Sequence, residues 1–154
     1  MKTTLLISLF YLILLPVYAQ SSGENWVPVL MDRERALYIN VTGLSDFKGD
    51  EIFVWTMEDD DNGIAIDEIK EKIFKTKTYF LFNKSLNRYS ILSVMYFDAK
   101  GNLLKSFSYE HDDPDPEYKY SSPVFPDSDA DKILKKCLEF IPAKAESINK
   151  NSVQ

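Results

Sequence analysis

The stretch Glu51-Ile52-Phe53-Val54-Trp55-Thr56-Met57 decides the fold, because it places β-branched and aromatic side chains on both faces of one extended segment. A short segment that is apolar on both faces is typical of a strand inside a sheet rather than at its edge. We therefore expect residues 51–57 to form a central strand, with further strands on either side of it.

The sequence around this central strand carries further strand patterns. The other strands predicted are, in chain order, residues 26–30, 36–41, 76–82, 89–97 and 103–109. Pro28 has no backbone N–H to give to a neighbour, which confines the first strand to a sheet edge or makes Pro28 part of the strand's start. The polar segment 32–35 joins the first two strands as a hairpin, and Gly101 is expected at the positive-φ position of a hairpin loop over 98–102.

Residues 58–72, which follow the central strand in the sequence, lack a strand pattern. The acidic first part, residues 58–63, is expected to be a polar loop. Behind that, Ile66, Ile69 and Ile73 fall at helical spacing, which predicts a short helix or an irregular segment over residues 64–72.

The last element is predicted to be an amphipathic helix. Asp127 or Ser128 caps its N-terminus, and Pro142 stops it. Asp131 stands three residues after Ser128, as in a capping box. The apolar stripe of this helix consists of Ile133, Leu134, Cys137, Leu138 and Ile141. The predicted fold class is therefore α+β: a single, mostly antiparallel β-sheet of about six strands with a C-terminal α-helix packed on one face.

The N-terminal residues have the pattern of a secretory signal peptide: Lys2, an apolar run over residues 5–16, and the small residue Ala19 at the cleavage point. The apolar stretch 5–17 would rise only about 20 Å as a helix, short of a roughly 30 Å hydrocarbon core, which argues against a transmembrane anchor. The expected organisation is a signal peptide over 1–19, one domain over 20–143 and a flexible polar tail over 144–154.

The composition argues against nucleic acid as a partner and against most catalytic chemistry. The chain has 18 Lys and Arg residues against 24 Asp and Glu residues, a net charge of −6, which disfavours binding to a polyanion. With His111 as its only histidine and Cys137 as its only cysteine, the chain has almost nothing from which to build a zinc site, a Cys–His pair or a Ser-His-Asp triad. His111 stands in a proline-rich acidic loop and is expected to be solvated. We predict no catalytic residue, no cofactor and no metal ligand.

Acidic residues leave two alternatives open. The pattern E-x-D-x-N-G over 58–63 copies the start of a calcium loop, but the acid expected at the twelfth position falls on Ile69. A solvated acidic turn is the expectation, and a weak calcium site is the alternative. A hydrolase that uses carboxylates such as Asp59, Asp60 or Asp112 is the second alternative, and it requires two of them to converge in one pocket.

Lys70, Lys72, Lys75 and Lys77 form a local basic stretch within an acidic chain. One interpretation is a solvated sheet edge, where lysines discourage further strand pairing. The alternative is a binding site for an acidic partner, so these four lysines are the candidate partner-binding residues.

Five further residues are expected to have structural roles, namely Trp26, Trp55, Gly101, Ser128 and Cys137. Cys137 cannot form an internal disulfide, because it has no second cysteine to pair with. We expect it to be a small, buried apolar side chain, with an intermolecular bridge or a reactive thiol as alternatives.

These elements carry local motifs in a definite order. The motifs are Trp26, Tyr38-Ile39-Asn40, Val54-Trp55, Tyr89-Ser90-Ile91-Leu92-Ser93, Phe97-Asp98-Ala99-Lys100-Gly101 and Pro126-Asp127-Ser128, the last opening the helix that contains Cys137. With this order and spacing after a signal peptide, residues 25–140 resemble the surface-adhesin protein E family of Gram-negative bacteria. The resemblance implies a mostly antiparallel sheet with a C-terminal helix on one face. A sheet cysteine commonly bridges to the helix cysteine in that family, and its position here falls near Asn83.

The resemblance also implies a function. It implies an exported, non-enzymatic binding protein, a surface adhesin that contacts host extracellular-matrix proteins such as vitronectin and laminin and forms a homodimer. Its expected location is the periplasm or the cell surface of a Gram-negative bacterium, without stable membrane insertion after the leader is removed. Because a sheet cysteine and a lipid-anchor cysteine are both missing from the expected positions, a soluble periplasmic accessory or structural protein is the alternative.

Overall fold

The computed structural model describes residues 23–109, 115 and 119–142. The predicted signal peptide, His111 and the predicted polar tail lie outside the described residues. No helix within the described residues is long and apolar enough to span a membrane. The elements are, in chain order, β1 Trp26–Met31, β2 Arg35–Asn40, β3 Glu51–Ile66, β4 Ile69–Asn83, β5 Arg88–Phe97, β6 Leu103–Ser108, β7 Ser122–Pro123 and α1 Asp129–Leu138.

The strands form one antiparallel sheet in the order β1-β2-β3-β4-β5-β6, and β7 pairs with β5. This confirms the predicted mostly antiparallel sheet of about six strands and the predicted C-terminal helix. The central position expected for residues 51–57 is confirmed, because β3 lies between β2 and β4. Pro28 lies in β1, at the end of the strand order, and Gly101 has a φ of 81° in the β5–β6 loop, both as predicted.

The prediction from sequence is wrong for residues 58–72. The predicted acidic loop is part of β3, and the predicted helical or irregular segment is a hairpin between β3 and β4. Ile66 pairs with Ile69, and Ile64 pairs with Ile73. The isoleucine spacing that resembles a helix therefore arises from cross-strand pairing around a two-residue turn.

Charge pairing explains how an acidic segment can be a strand. Asp59 lies opposite Lys75 of β4, with a carboxylate oxygen 3.5 Å from the ammonium nitrogen. Glu58 lies 3.5 Å from the guanidinium of Arg35 in β2. Opposite charges on neighbouring strands stabilise the pairing, which offsets the low strand propensity of acidic residues.

Gly63 and Phe74 accommodate an irregularity in the long β3–β4 hairpin. Gly63 has a φ of 67°, and the register of the two strands shifts between Asp59 and Ile64. A Cβ atom built on Gly63 would lie 2.9 Å from Cζ of Phe74, so the aromatic ring packs directly on the glycine. A ring over a glycine in this way supports a strand at a position that would otherwise weaken it.

One buried apolar cluster contains side chains from both the sheet and α1. Its members are Leu37, Ile39, Leu44, Ile52, Val54, Phe82, Val124, Ile133, Leu134 and Cys137. Leu138 is an exception to the predicted apolar stripe, since it is 43% exposed. One residue beyond Cys137 corresponds to a rotation of about 100° around the helix, which carries Leu138 past the edge of the buried stripe.

The N-terminus of α1 is fixed by a cap and by an ion pair. Ser128 caps the helix, as predicted, because its Oγ accepts a hydrogen bond from the backbone N–H of Asp131 at 3.2 Å. The carboxylate of Asp131 accepts in turn from the backbone N–H of Asp127, at 2.9 Å, one residue before the position that a capping box would use. Arg35 of β2 lies 2.9 Å from Asp129, and this hydrogen bond is the main cause of a raised pKa for Arg35.

Candidate binding site on the aromatic face of the sheet

The register of the strands divides the sheet's side chains between two faces. Side chains alternate along a strand, and residues directly opposite each other on neighbouring strands share a face. The core face is the one that carries Ile39, Val54 and Phe82 of the buried cluster. The opposite face carries partly exposed aromatic side chains, and we call it the aromatic face; they are Trp26, Tyr38, Phe53, Trp55 and Tyr79.

A series of ring contacts crosses the aromatic face. Trp55 of β3 lies opposite Tyr79 of β4, with ring centroids 4.7 Å apart and planes 16° from parallel. Phe53 is 6.2 Å from Tyr79, and Phe47 is 6.2 Å from Phe53. Such contacts hold the rings in fixed relative positions. A hollow of about 240 Å³ lies beside these rings and is also lined by Asn40; we call it the first hollow.

A second hollow, of about 280 Å³, shares Trp55 with the first and is also lined by Trp26, Met95, Lys77 and Glu24. We call it the tryptophan hollow. Nε1–H of Trp26 donates to Oε2 of Glu24 at 3.0 Å, and Nζ of Lys77 lies 3.3 Å from the same oxygen. Nζ of Lys77 also lies 5.0 Å from the centroid of the Trp26 ring, a cation–π contact. The hydrogen bond from Trp26, assisted by Lys77, lowers the pKa of Glu24, so its carboxylate is ionised at neutral pH.

The segment that precedes β7 covers one end of the aromatic face. Glu51 accepts hydrogen bonds from Nζ of Lys119, at 2.6 Å, and from the hydroxyl of Tyr120. These two hydrogen bonds, that from Lys119 first, lower the pKa of Glu51. Oγ of Ser90 donates to the carbonyl of Lys119 and Nε of Arg88 to that of Tyr120, each at 2.8 Å. Protein therefore closes this end of the face.

The four candidate lysines do not form one surface. Alternation along β4 directs Lys70 and Lys72 to one face and Lys75 and Lys77 to the other. Nζ of Lys72 donates to the carbonyl of Asn62 at 3.1 Å, and Lys75 pairs with the aspartate opposite it in β3. Lys70 is exposed. Of the four, Lys77 is the one that lines the tryptophan hollow.

The acidic candidates do not converge either. Asp59 and Asp60 are neighbours in β3, so their side chains point to opposite faces, and Asp112 lies outside the described residues. In the calcium-like pattern, Oδ1 of Asp60 accepts a hydrogen bond from the backbone N–H of Asn62 at 3.0 Å. Within residues 23–109, 115 and 119–142, no group of three or more His, Cys, Asp or Glu side chains is arranged to hold a metal ion.

Cys137 belongs to the buried cluster and not to the aromatic face. Its side chain is 0% exposed, as expected from the helix stripe, and burial raises the pKa of its thiol to about 12. Asn83 is also buried. Its side-chain oxygen accepts hydrogen bonds from the backbone N–H groups of Ser85 and Leu86, at 3.1 and 3.0 Å, so Asn83 stabilises the β4–β5 turn.

Trp26 and Trp55, which were expected to have structural roles, also line hollows that the sequence did not predict. The alternation of Phe53 and Trp55 was a visible signal, but whether aromatic residues of different strands meet depends on register, which the pattern of one strand does not contain. Comparison of the chain with family models, with curated proteins and with solved structures finds no match.

Proposed function

We propose that this protein is an exported, non-enzymatic binding protein and that the aromatic face is its ligand-binding surface. On this proposal α1 covers the core face of the sheet and leaves the opposite face to the ligand. The observation that carries the proposal is the placement of Trp26, Trp55 and Tyr79, all partly exposed, around two adjoining hollows.

The energetics of aromatic side chains support this choice of surface. Single exposed apolar residues are ordinary, but a contiguous group of large rings offers a ligand much apolar area to cover. Tryptophan and tyrosine dominate binding hot spots, because their rigid rings supply contact area at little conformational cost. The stacking of Trp55 on Tyr79 at 4.7 Å holds these rings in place before a ligand arrives, which reduces the entropy lost on binding.

The resemblance to the surface-adhesin protein E family supports a class of partner. On that basis we propose a host extracellular-matrix protein as the ligand and the cell surface of a Gram-negative bacterium as the place of action. The aromatic face is then the part of the adhesin that contacts the matrix protein.

Solid-phase binding of labelled laminin and vitronectin to the purified protein tests the proposal. We expect saturable binding of at least one of them, weakened about tenfold or more by Trp55→Ala, because truncation of a central aromatic residue removes a hot spot. Phe125→Ala is the matched control, since Phe125 is 65% exposed and lines neither hollow. Circular dichroism checks that both variants are folded. Equal binding by the wild-type protein and a folded Trp55→Ala variant would contradict the proposal.

A further inference from the structure

The tryptophan hollow is formed by the only two tryptophans of the chain. Trp26 lies opposite Asn40, and Ile39 lies opposite Thr56, so the register brings Asn40 beside Trp55. The two indoles therefore stand at the same level of the sheet on β1 and β3, with β2 between them. The backbones of strands two apart are separated by about 9.5 Å, and the hollow of about 280 Å³ that both tryptophans line is large enough for one six-membered ring.

The polar groups at this hollow supply donors and acceptors without a net charge. The carboxylate of Glu24 and the ammonium of Lys77 are 3.3 Å apart, and their charges cancel. Neither a cationic nor an anionic ligand is favoured, because each would be attracted by one of these two groups and repelled by the other. Adjacent hydroxyl groups both donate and accept hydrogen bonds, so they match a neighbouring carboxylate and ammonium.

A pyranose ring has this combination of properties. Its two faces present C–H groups that pack on aromatic rings, and its rim carries hydroxyls at neighbouring carbons. A compact apolar ligand would make no hydrogen bond to Glu24 or Lys77 and would leave them bonded only within the protein, whereas a sugar hydroxyl can bond to both. The first hollow continues the same surface beyond Trp55, with Phe53 and Tyr79 as further rings and Asn40 as a further polar group.

We propose that the aromatic face binds an uncharged oligosaccharide, with one pyranose ring seated between Trp26 and Trp55 and a neighbouring sugar in the first hollow. This inference rests on the proposed function, since it names the chemistry of the ligand at the same surface. Glu24 and Lys77 act as hydrogen-bonding groups for the sugar rim. Trp55 supplies a stacking surface, and Trp26, whose ring lies 5.0 Å from the Lys77 ammonium, supplies the opposite wall of the hollow.

Tryptophan fluorescence of the purified full chain measures this binding directly, because Trp26 and Trp55 are its only tryptophans. The uncharged probes are cellohexaose, hexa-N-acetylchitohexaose, maltohexaose and xylohexaose, and the comparison ligands are a heparin hexasaccharide and a proline decapeptide. We expect a saturable change with at least one uncharged sugar. The Trp26→Ala variant, whose fluorescence comes from Trp55 alone, should bind the sugar about tenfold or more weakly. This is the range found when an aromatic ring that stacks on a nucleic-acid base is removed.

Lys77→Met keeps most of the side-chain volume and removes the ammonium, so it separates hydrogen bonding from folding. We expect this substitution to lower the affinity for the sugar severalfold while leaving the circular dichroism spectrum unchanged. Phe125→Ala is again the control and should bind as the wild-type protein does. Absence of binding to every uncharged sugar overturns the inference, as does a preference for the heparin or proline probe.

Laminin and vitronectin, before and after enzymatic removal of their glycans, separate this inference from the proposed function. Loss of Trp55-dependent binding on deglycosylation supports the inference. Trp55-dependent binding that deglycosylation leaves unchanged would rule out an oligosaccharide as the ligand. It would still support the aromatic face as the binding surface. If neither the sugars nor the matrix proteins bind in a Trp55-dependent way, the proposed function fails as well.

Discussion

Cys137 provides a measure of how firmly α1 is held in the buried cluster. The side chain is fully buried, and burial raises the pKa of its thiol from the ordinary 9.0 to about 12. Near pH 8 this lowers the thiolate fraction about a thousandfold, from about one in ten to about one in ten thousand. The thiolate is the species that attacks a disulfide reagent, and the reagent cannot reach a buried sulfur. Labelling therefore requires a transient opening of the helix.

The assay is the reaction of the folded protein with Ellman's reagent, followed by absorbance. The matched control is the double variant Cys137→Ala/Leu138→Cys, because Leu138 is the next residue and is 43% exposed. We expect the wild-type thiol to react at least about a thousandfold more slowly than the introduced one. The two proteins should react at equal rates once unfolded in concentrated urea. A wild-type rate within about tenfold of the control in the folded protein would refute the burial of Cys137, and with it the proposed cover of the core face by α1.

Two further predictions concern the sheet. Gly63→Ala should lower the free energy of unfolding by about 2 kcal/mol or more, because alanine is strained at a positive φ and its Cβ would meet the ring of Phe74. Gly101→Ala introduces only the backbone strain, since open space surrounds a Cβ there, and should lower the free energy of unfolding by about 1 kcal/mol. Urea denaturation measures both variants. Equal losses of stability would argue against the contact between Gly63 and the ring. The hydrogen bond from Lys119 lowers the pKa of Glu51 below its ordinary value of 4.5. The contribution of this carboxylate to the free energy of unfolding is therefore complete above about pH 4.5, and it is lost as the pH falls through the folded-state pKa. Glu51→Gln should therefore flatten the acid side of the stability profile, and an unchanged acid slope would count against the Glu51 contact.

The central strand, the β5–β6 hairpin and the start of α1 could be predicted because their signals are local. Residues 51–57 indicate a central strand by composition alone, and Gly101 marks the β5–β6 loop because the backbone there needs a positive φ. Ser128 marks the start of α1 for a similarly local reason, since its hydroxyl can satisfy a free N–H group of the first turn. Each of these predictions needed only a few neighbouring residues.

Residues 58–72 could not be predicted in the same way, because contacts distant in sequence decide their structure. Lys75 opposite Asp59 stabilises an acidic residue in a strand, and the ring of Phe74 does the same for Gly63. The candidate site shows the same dependence. Trp26 and Trp55 were identified individually, but their meeting around one hollow follows from the register of β1, β2 and β3.

We propose that the ligand binds to the aromatic face and not to α1 or the sheet edges. The most direct measurement is the ¹H–¹⁵N spectrum of the labelled protein during titration with whichever of the four uncharged hexasaccharides, or of short peptide fragments of laminin or vitronectin, binds. The two indole N–H signals report on Trp26 and Trp55 alone, since the chain has no other tryptophan. We predict that both indole signals shift or broaden with the ligand, while the amide signals of α1 stay unchanged. The largest changes on α1 or β6, with both indole signals unmoved, would contradict the claim.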